Sequence, residues 1–132
     1  MALKYSPSII KSGLVTSLDS GDINSYPGSG TTWYDLSGNG NHAANFGATP
    51  VAGKAGIANT AYRFDGVNDY MRVANSSSIN NFSNNKITLC AILRPQGFYN
   101  GTCKGNSIIM KGNSDHVTGN YLLRYSPNNG CS

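Results

Sequence analysis

The sequence predicts an all-β fold of two packed antiparallel sheets, and three observations carry that reading. Glutamate is absent while Gly, Ser and Asn recur every few residues, so strong helix formers are scarce and turn formers plentiful. The apolar residues gather in short β-branched or aromatic runs bounded by turn residues, and no helix of normal length competes with them. One run, Ile87 to Leu93, is apolar at nearly every position, the pattern of a strand covered on both faces in the middle of a sandwich. A length of 132 residues suits one such domain.

The first expected strand is Leu14 to Leu18, opened by Gly13 and closed by the Asp19-Ser20-Gly21 turn. A long loop then runs from Asp19 to Asn45, punctuated by Pro27-Gly28, Gly38 and Gly40, with Trp33 and Leu36 as large side chains able to pin it to the body. Within it, Ser25 to Asn41 reads SYPGSGTTWYDLSGNGN, an aromatic-Asp pair set among Gly, Ser and Asn. The next strands are Ala61 to Phe64 and Tyr70 to Val73. Between them DGVND supplies the Asp-Gly and Asn-Asp chemistry of a tight reversal, so RF and YMRV are expected to form a hairpin tipped by Asp65 and Asp69. Ile87 to Leu93, Ser107 to Lys111 and Tyr121 to Tyr125 complete the set, with no internal repeat and no interdomain linker.

An apolar fraction of 39% with 12% charged residues is a globular balance with a sparsely charged surface. The net charge of +4 and pI near 9.1 do not point to nucleic acid, because the ten basic residues are scattered singly from Lys4 to Arg124 and form no stripe. No apolar stretch approaches the roughly 20 residues of a membrane helix, and the opening MALKYSPSIIKSG lacks the apolar segment of a signal peptide. Cys90, Cys103 and Cys131 are an odd count without zinc spacing. Cys90 lies in the run ITLCAIL and is expected to be a buried free thiol, whereas Cys103 and Cys131 sit in polar turns and are candidates for a disulfide.

Four motifs in order, GLVTSLDSG, SYPGSGTTWYDLSGNGNH, YRFDGVNDYMRV and KITLCAILRP, resemble the laminin-G-like, concanavalin A-like jelly-roll domains found in bacterial surface proteins and tailed-phage structural proteins. The resemblance covers about Gly13 to Pro95, and the tail from Cys103 to Tyr125 is similar to the next strand pair of such domains. Members often carry Trp where this chain has Ile92 and Ser where it has Cys90, which alters core packing. The resemblance implies an antiparallel two-sheet β-sandwich over residues 13–132 behind an N-terminal arm of residues 1–12. Such domains are usually longer, so a chain stopping at Ser132 is expected to leave the sandwich incomplete, with open edges that recruit a second copy or another structural chain.

Catalysis finds little support in the residues. Glycoside hydrolases on this fold use paired carboxylates in Glu-x-Asp-x-Glu patterns, about 5 Å apart for retention, and this chain has no glutamate. Asp65 and Asp69 flank a turn, where self-capping is their ordinary role. His42 and His116 lie in polar loops without a nearby nucleophile motif, and the GSG and GNG triplets are too short to cradle phosphate. Sequons at Asn75, Asn81 and Asn100 matter only in a glycosylating secretory route.

Calcium is a candidate cofactor, because the wider lectin-like fold binds it at a loop rim and Asp19, Asp65 and Asp69 supply oxygens, although without a DxDxDG spacing. Trp33 has two readings, a platform stacking on a sugar face or the anchor of its loop, and its place in the Trp-x-Asp-Leu-Ser signature favours the anchor. Asp35 is then expected to accept backbone N–H bonds within its loop. Trp33, Tyr34, Asp35 and Asp69 are the candidate ligand residues, among loops where tyrosine mixes with Ser, Asn and Gly. The expectation is a non-enzymatic structural or decorating component of an extracellular particle, a phage virion above all, since Met1 lies close ahead of the first motif with no signal peptide. The alternative is a carbohydrate-binding or adhesion module of a bacterial surface protein.

Overall fold

A run of residues becomes a strand only where a neighbour accepts its hydrogen bonds, and pairing decides which of the expected segments do so here. The computed structural model describes residues 10–53, 60–80, 86–97, 106–112 and 121–125. In chain order the elements are β1 (Thr32–Trp33), β2 (Ala43–Phe46), β3 (Thr49–Val51), β4 (Ala61–Arg63), β5 (Tyr70–Val73), α1 (Ser77–Asn80), β6 (Asn106–Met110) and β7 (Leu122–Tyr125). The chain is thus mostly short strands in small antiparallel sheets with almost no helix, as an all-β composition requires. It divides into two compact units, Met1–Ser83 and Asn84–Ser132.

In the first unit β1, β2 and β5 form an antiparallel sheet in the order β1-β2-β5, with Thr32 opposite Ala44, Ala44 opposite Arg72, and Phe46 opposite Tyr70. Opposed residues share a face. Trp33, Ala43, Asn45, Met71 and Val73 therefore form the inner face, where Ala43 is buried and the others are half-buried. Ala44, Phe46, Tyr70 and Arg72 stand exposed on the outer face. β3 and β4 pair antiparallel with Pro50 opposite Tyr62, and a proline, lacking a donor, suits the edge that a two-stranded sheet provides. Trp33 on β1 and Tyr62 on β4 bring these sheets into ring contact, with centroids 5.1 Å apart, and the buried Tyr26 ring lies 5.0 Å from Tyr62. The single turn of α1 starts from Ser76, whose carbonyl accepts from the N–H groups of Ile79 and Asn80, and it buries Ile79.

In the second unit β6 and β7 are antiparallel, with Asn106 opposite Tyr125 and Met110 opposite Leu122, and a register irregularity between Ser107 and Ile109 marks a bulge. The expected strands at Ser107 to Lys111 and Tyr121 to Tyr125 are found to within a residue at each end.

Three expectations are corrected. Leu14 to Leu18 joins no strand ladder, because side chains of the following loop take its backbone groups. RF and YMRV do not pair as a hairpin: β4 bonds to β3 and β5 to β2, so the reversal between them hands the chain from one sheet to another. Ile87 to Leu93 is not a doubly covered strand; it has no ladder partner among the described residues, Ile92 and Leu93 are exposed, and Cys90 is an exposed free thiol rather than a buried one. Conversely, the segment read as one long loop contains β1 and most of β2. The candidate pair Cys103 and Cys131, together with His116, lies outside the described residues. Among the described residues no helix is long and apolar enough to cross a membrane.

Candidate functional site

The densest polar structure among the described residues is a knot around Asp35, just after β1. Asp35 Oδ1 accepts the N–H groups of Ser17 at 2.8 Å and Ser37 at 2.9 Å, and Oδ2 accepts the Ser37 hydroxyl at 2.6 Å and the Asn41 N–H at 3.0 Å. Three of these donors come from its own loop, as expected, and the Ser17 bond ties that loop to the segment before it. The Leu36 N–H donates to the Ser17 carbonyl at 2.8 Å, closing the tie from the other side. Asn41 Nδ2 donates to the Val15 carbonyl at 2.8 Å and to Ser78 Oγ at 2.9 Å, while Asn41 Oδ1 accepts the Ser76 hydroxyl. One buried asparagine therefore joins residues 14–17, the Asp35 loop and the start of α1. The Ser37 hydroxyl also lies 3.0 Å from the Val15 carbonyl, but it has one proton, and the shorter bond to Asp35 claims it.

Burial alone would raise the Asp35 pKa, and the bonds from the Ser37 hydroxyl and from the Ser17, Ser37 and Asn41 N–H groups outweigh it, holding the carboxyl below its ordinary range. All four of its bonds serve the fold. The Asp35 N–H donates to His42 Nδ1 at 3.0 Å, which assigns the ring proton of the neutral imidazole to Nε2 and leaves Nδ1 no hydroxyl to activate. Tyr34 is exposed and meets the His42 ring edge-on at 5.3 Å. Beneath it the fully buried Ser25 accepts the Asp19 N–H and gives its hydroxyl proton to the Tyr34 carbonyl.

Trp33, the second expected ligand residue, is half-buried in the ring cluster with Tyr62 and Tyr26 rather than displayed on a loop. Its Nε1 is buried without a hydrogen-bond partner. Burial first, and the neighbouring Tyr26 hydroxyl second, push the Tyr62 phenol well above its usual range, although Tyr62 Oη makes no well-aligned hydrogen bond.

The Asp65–Asp69 reversal closes on itself. Asp65 Oδ1 accepts the N–H groups of Val67 at 2.8 Å, Asn68 at 3.2 Å and Asp69 at 3.3 Å, and Asp69 Oδ2 accepts the Asp65 N–H at 2.9 Å. The Val67 N–H bond, opposed by desolvation and helped by Asn68 and Asp69, holds the Asp65 carboxyl below its ordinary range. Asp19 Oδ1 is taken by the Gly21 N–H at 2.8 Å. The three aspartates proposed as calcium ligands are thus engaged as local caps, and no group of three His, Cys, Asp or Glu side chains suited to a metal exists among the described residues.

Beside this turn the outer face of the three-stranded sheet carries a feature the sequence reading missed. Phe46 and Tyr70, paired across β2 and β5, stack with centroids 4.6 Å apart and planes 11° from parallel, and both are exposed. Only the strand register reveals it, since the two residues are far apart in sequence and β2 was not recognised. Asn39, Asn41, Ser25 and Ser17 were likewise missed as knot residues, although the repeated Ser, Gly and Asn after Trp-Tyr-Asp is the composition that side-chain-to-backbone bonding favours. No family model, curated protein or solved structure matches the chain.

Proposed function

We propose that this chain is a non-enzymatic building or decorating module of an extracellular particle, a phage virion in the first place, and that its strands belong to a jelly-roll sandwich whose apolar surface is covered by another copy or by a structural partner. The distribution of apolar side chains carries this reading. Among the described residues the buried apolar side chains are Tyr26, Ala43, Ala48 and Ile79, whereas Ile23, Phe46, Phe64, Val67 and Tyr70 of the first unit and Ile92 and Leu93 of the second are exposed. Large apolar residues left exposed together, as Phe46 and Tyr70 are on one sheet face, mark association, and covering a fully exposed side chain of this kind contributes about 1.5–3 kcal/mol, proportionally less for one already half covered. The resemblance of the four motifs to laminin-G-like domains of tailed-phage structural proteins points the same way, as does an Asp35 whose lone-pair positions are spent on the fold.

Size-exclusion chromatography with light scattering over a range of concentrations tests the proposal. A folded multimer that dissociates on dilution is the expected result, and a folded monomer at every concentration sinks it.

One observation favours glycan adhesion as the second reading. The Phe46–Tyr70 stack, with Arg72 on the same exposed face, is the aromatic surface that Trp33 does not provide. On this reading Tyr70→Ala abolishes glycan retention while Trp33→Ala lowers stability instead.

A further inference from the structure

Asn39 is exposed and precedes Gly40, the residue least able to hinder attack of its own backbone nitrogen on the preceding side-chain amide. The space about Gly40 is open, since a side-chain carbon there would meet nothing within 4 Å, so water has access. The same amide is also a latch. Asn39 Nδ2 lies 2.9 Å from the Leu14 carbonyl, 3.1 Å from the Val15 carbonyl and 3.1 Å from Ser37 Oγ. Its two protons are shared among three acceptors, so the position demands a donor.

We propose that Asn39 is a hydrolytic modification site, and that its deamidation releases residues 14–17 from the Asp35 loop. The Gly40 nitrogen attacks Asn39 Cγ; a C–N bond forms, and Nδ2 departs as ammonia with the Gly40 N–H proton. One water then opens the cyclic imide at either carbonyl, giving aspartate or isoaspartate. Aspartate sets an anionic oxygen against the Leu14 and Val15 carbonyls, which repel it, and isoaspartate, whose free carboxylate stands on Cα, leaves them without the amide donor. Isoaspartate also lengthens the main chain just before Asn41, whose N–H bonds Asp35 Oδ2 and whose Nδ2 bonds the Val15 carbonyl. A change at one exposed amide thereby reaches the buried knot.

The full chain is incubated in mildly alkaline buffer at physiological temperature, with and without denaturant, then digested and mapped by mass for amide-to-acid conversion. Asn100-Gly101 and Asn129-Gly130 serve as references in the same digest. Hydrogen exchange at the Ser17 and Leu36 amides, which bond Asp35 Oδ1 and the Ser17 carbonyl, reads the latch. Conversion of Asn39 in the native chain is expected, with both amides exchanging about tenfold faster in Asn39→Asp than in wild type and Asn39→Ala falling between. A native Asn39 that stays an amide while the denatured chain converts overturns the site. Wild-type exchange in Asn39→Asp overturns the latch; if that variant does not fold, wild-type exchange in Asn39→Ala does so.

Discussion

Asp35 holds four donors from three residues, and removing it leaves those N–H and O–H groups facing one another across a buried gap. Asp35→Ala is expected to cost about 3 kcal/mol, read from the midpoint of denaturant unfolding. Asp35→Asn keeps the shape but turns one acceptor into a donor aimed at donors, and it too destabilises. The pH dependence follows from the lowered carboxyl: its contribution is present above the unfolded value of 3.8 and is lost as pH falls through the lower folded value. Wild type should therefore lose stability on acidification below 3.8, and Asp35→Asn should lose less over the same range. Gly47 and Gly66 offer a second comparison. Both have left-handed backbones, at φ 94° and 77°, but a side-chain carbon at Gly66 would meet nothing, whereas at Gly47 it would strike Asp69 Oδ1. Gly66→Ala should cost about 1–2 kcal/mol and Gly47→Ala distinctly more, because Asp69 must then release the Asp65 N–H.

Among the elements, the outer-face pair on β2 and β5 is open to direct measurement. A double-mutant cycle on Phe46→Ala and Tyr70→Ala should give a coupling of about 0.5–1.5 kcal/mol; a coupling near zero would mean the stack does not bind the two strands together. How much of the fold was legible in the sequence follows from how each strand earns its partner. β4, β5, β6 and β7 carry enough aromatic or branched residues between turn residues to be recognised, and they lie within a residue or so of where the pattern puts them. β1 has only two residues and β2 reads Ala-Ala-Asn-Phe, so their strand character comes from pairing with each other and with β5, which no local pattern reports. LVTSL has the right residues and no ladder, since Asp35, Asn39 and Asn41 reached its backbone first. The Asp65–Asp69 caps were legible because their bonds span four residues or fewer. The Asp35 bonds within the loop were legible because they span six residues or fewer, and its bond to Ser17, eighteen residues away, was not.

At the scale of the whole molecule, the division into Met1–Ser83 and Asn84–Ser132 places the only tryptophan, Trp33, in the first unit and a strand pair in each. Its emission reports the ring cluster with Tyr62, while far-ultraviolet circular dichroism reports strands of both units. If the units unfold separately, the two transitions will not coincide, and coincident curves would mean that the chain unfolds as one. The way residues 14–17 are held has a consequence for inheritance as well. Leu14, Val15 and Ser17 offer the Asp35 loop their carbonyl oxygens and an N–H, groups that nearly every amino acid possesses, whereas Asp35, Asn39 and Asn41 answer with side chains that few others can imitate. Descendants of this gene can accordingly spell the earlier segment in many ways while repeating the later one almost letter for letter, so a saturation mutagenesis library selected for folding should return a permissive stretch at 14–17 facing an intolerant one at 35–41.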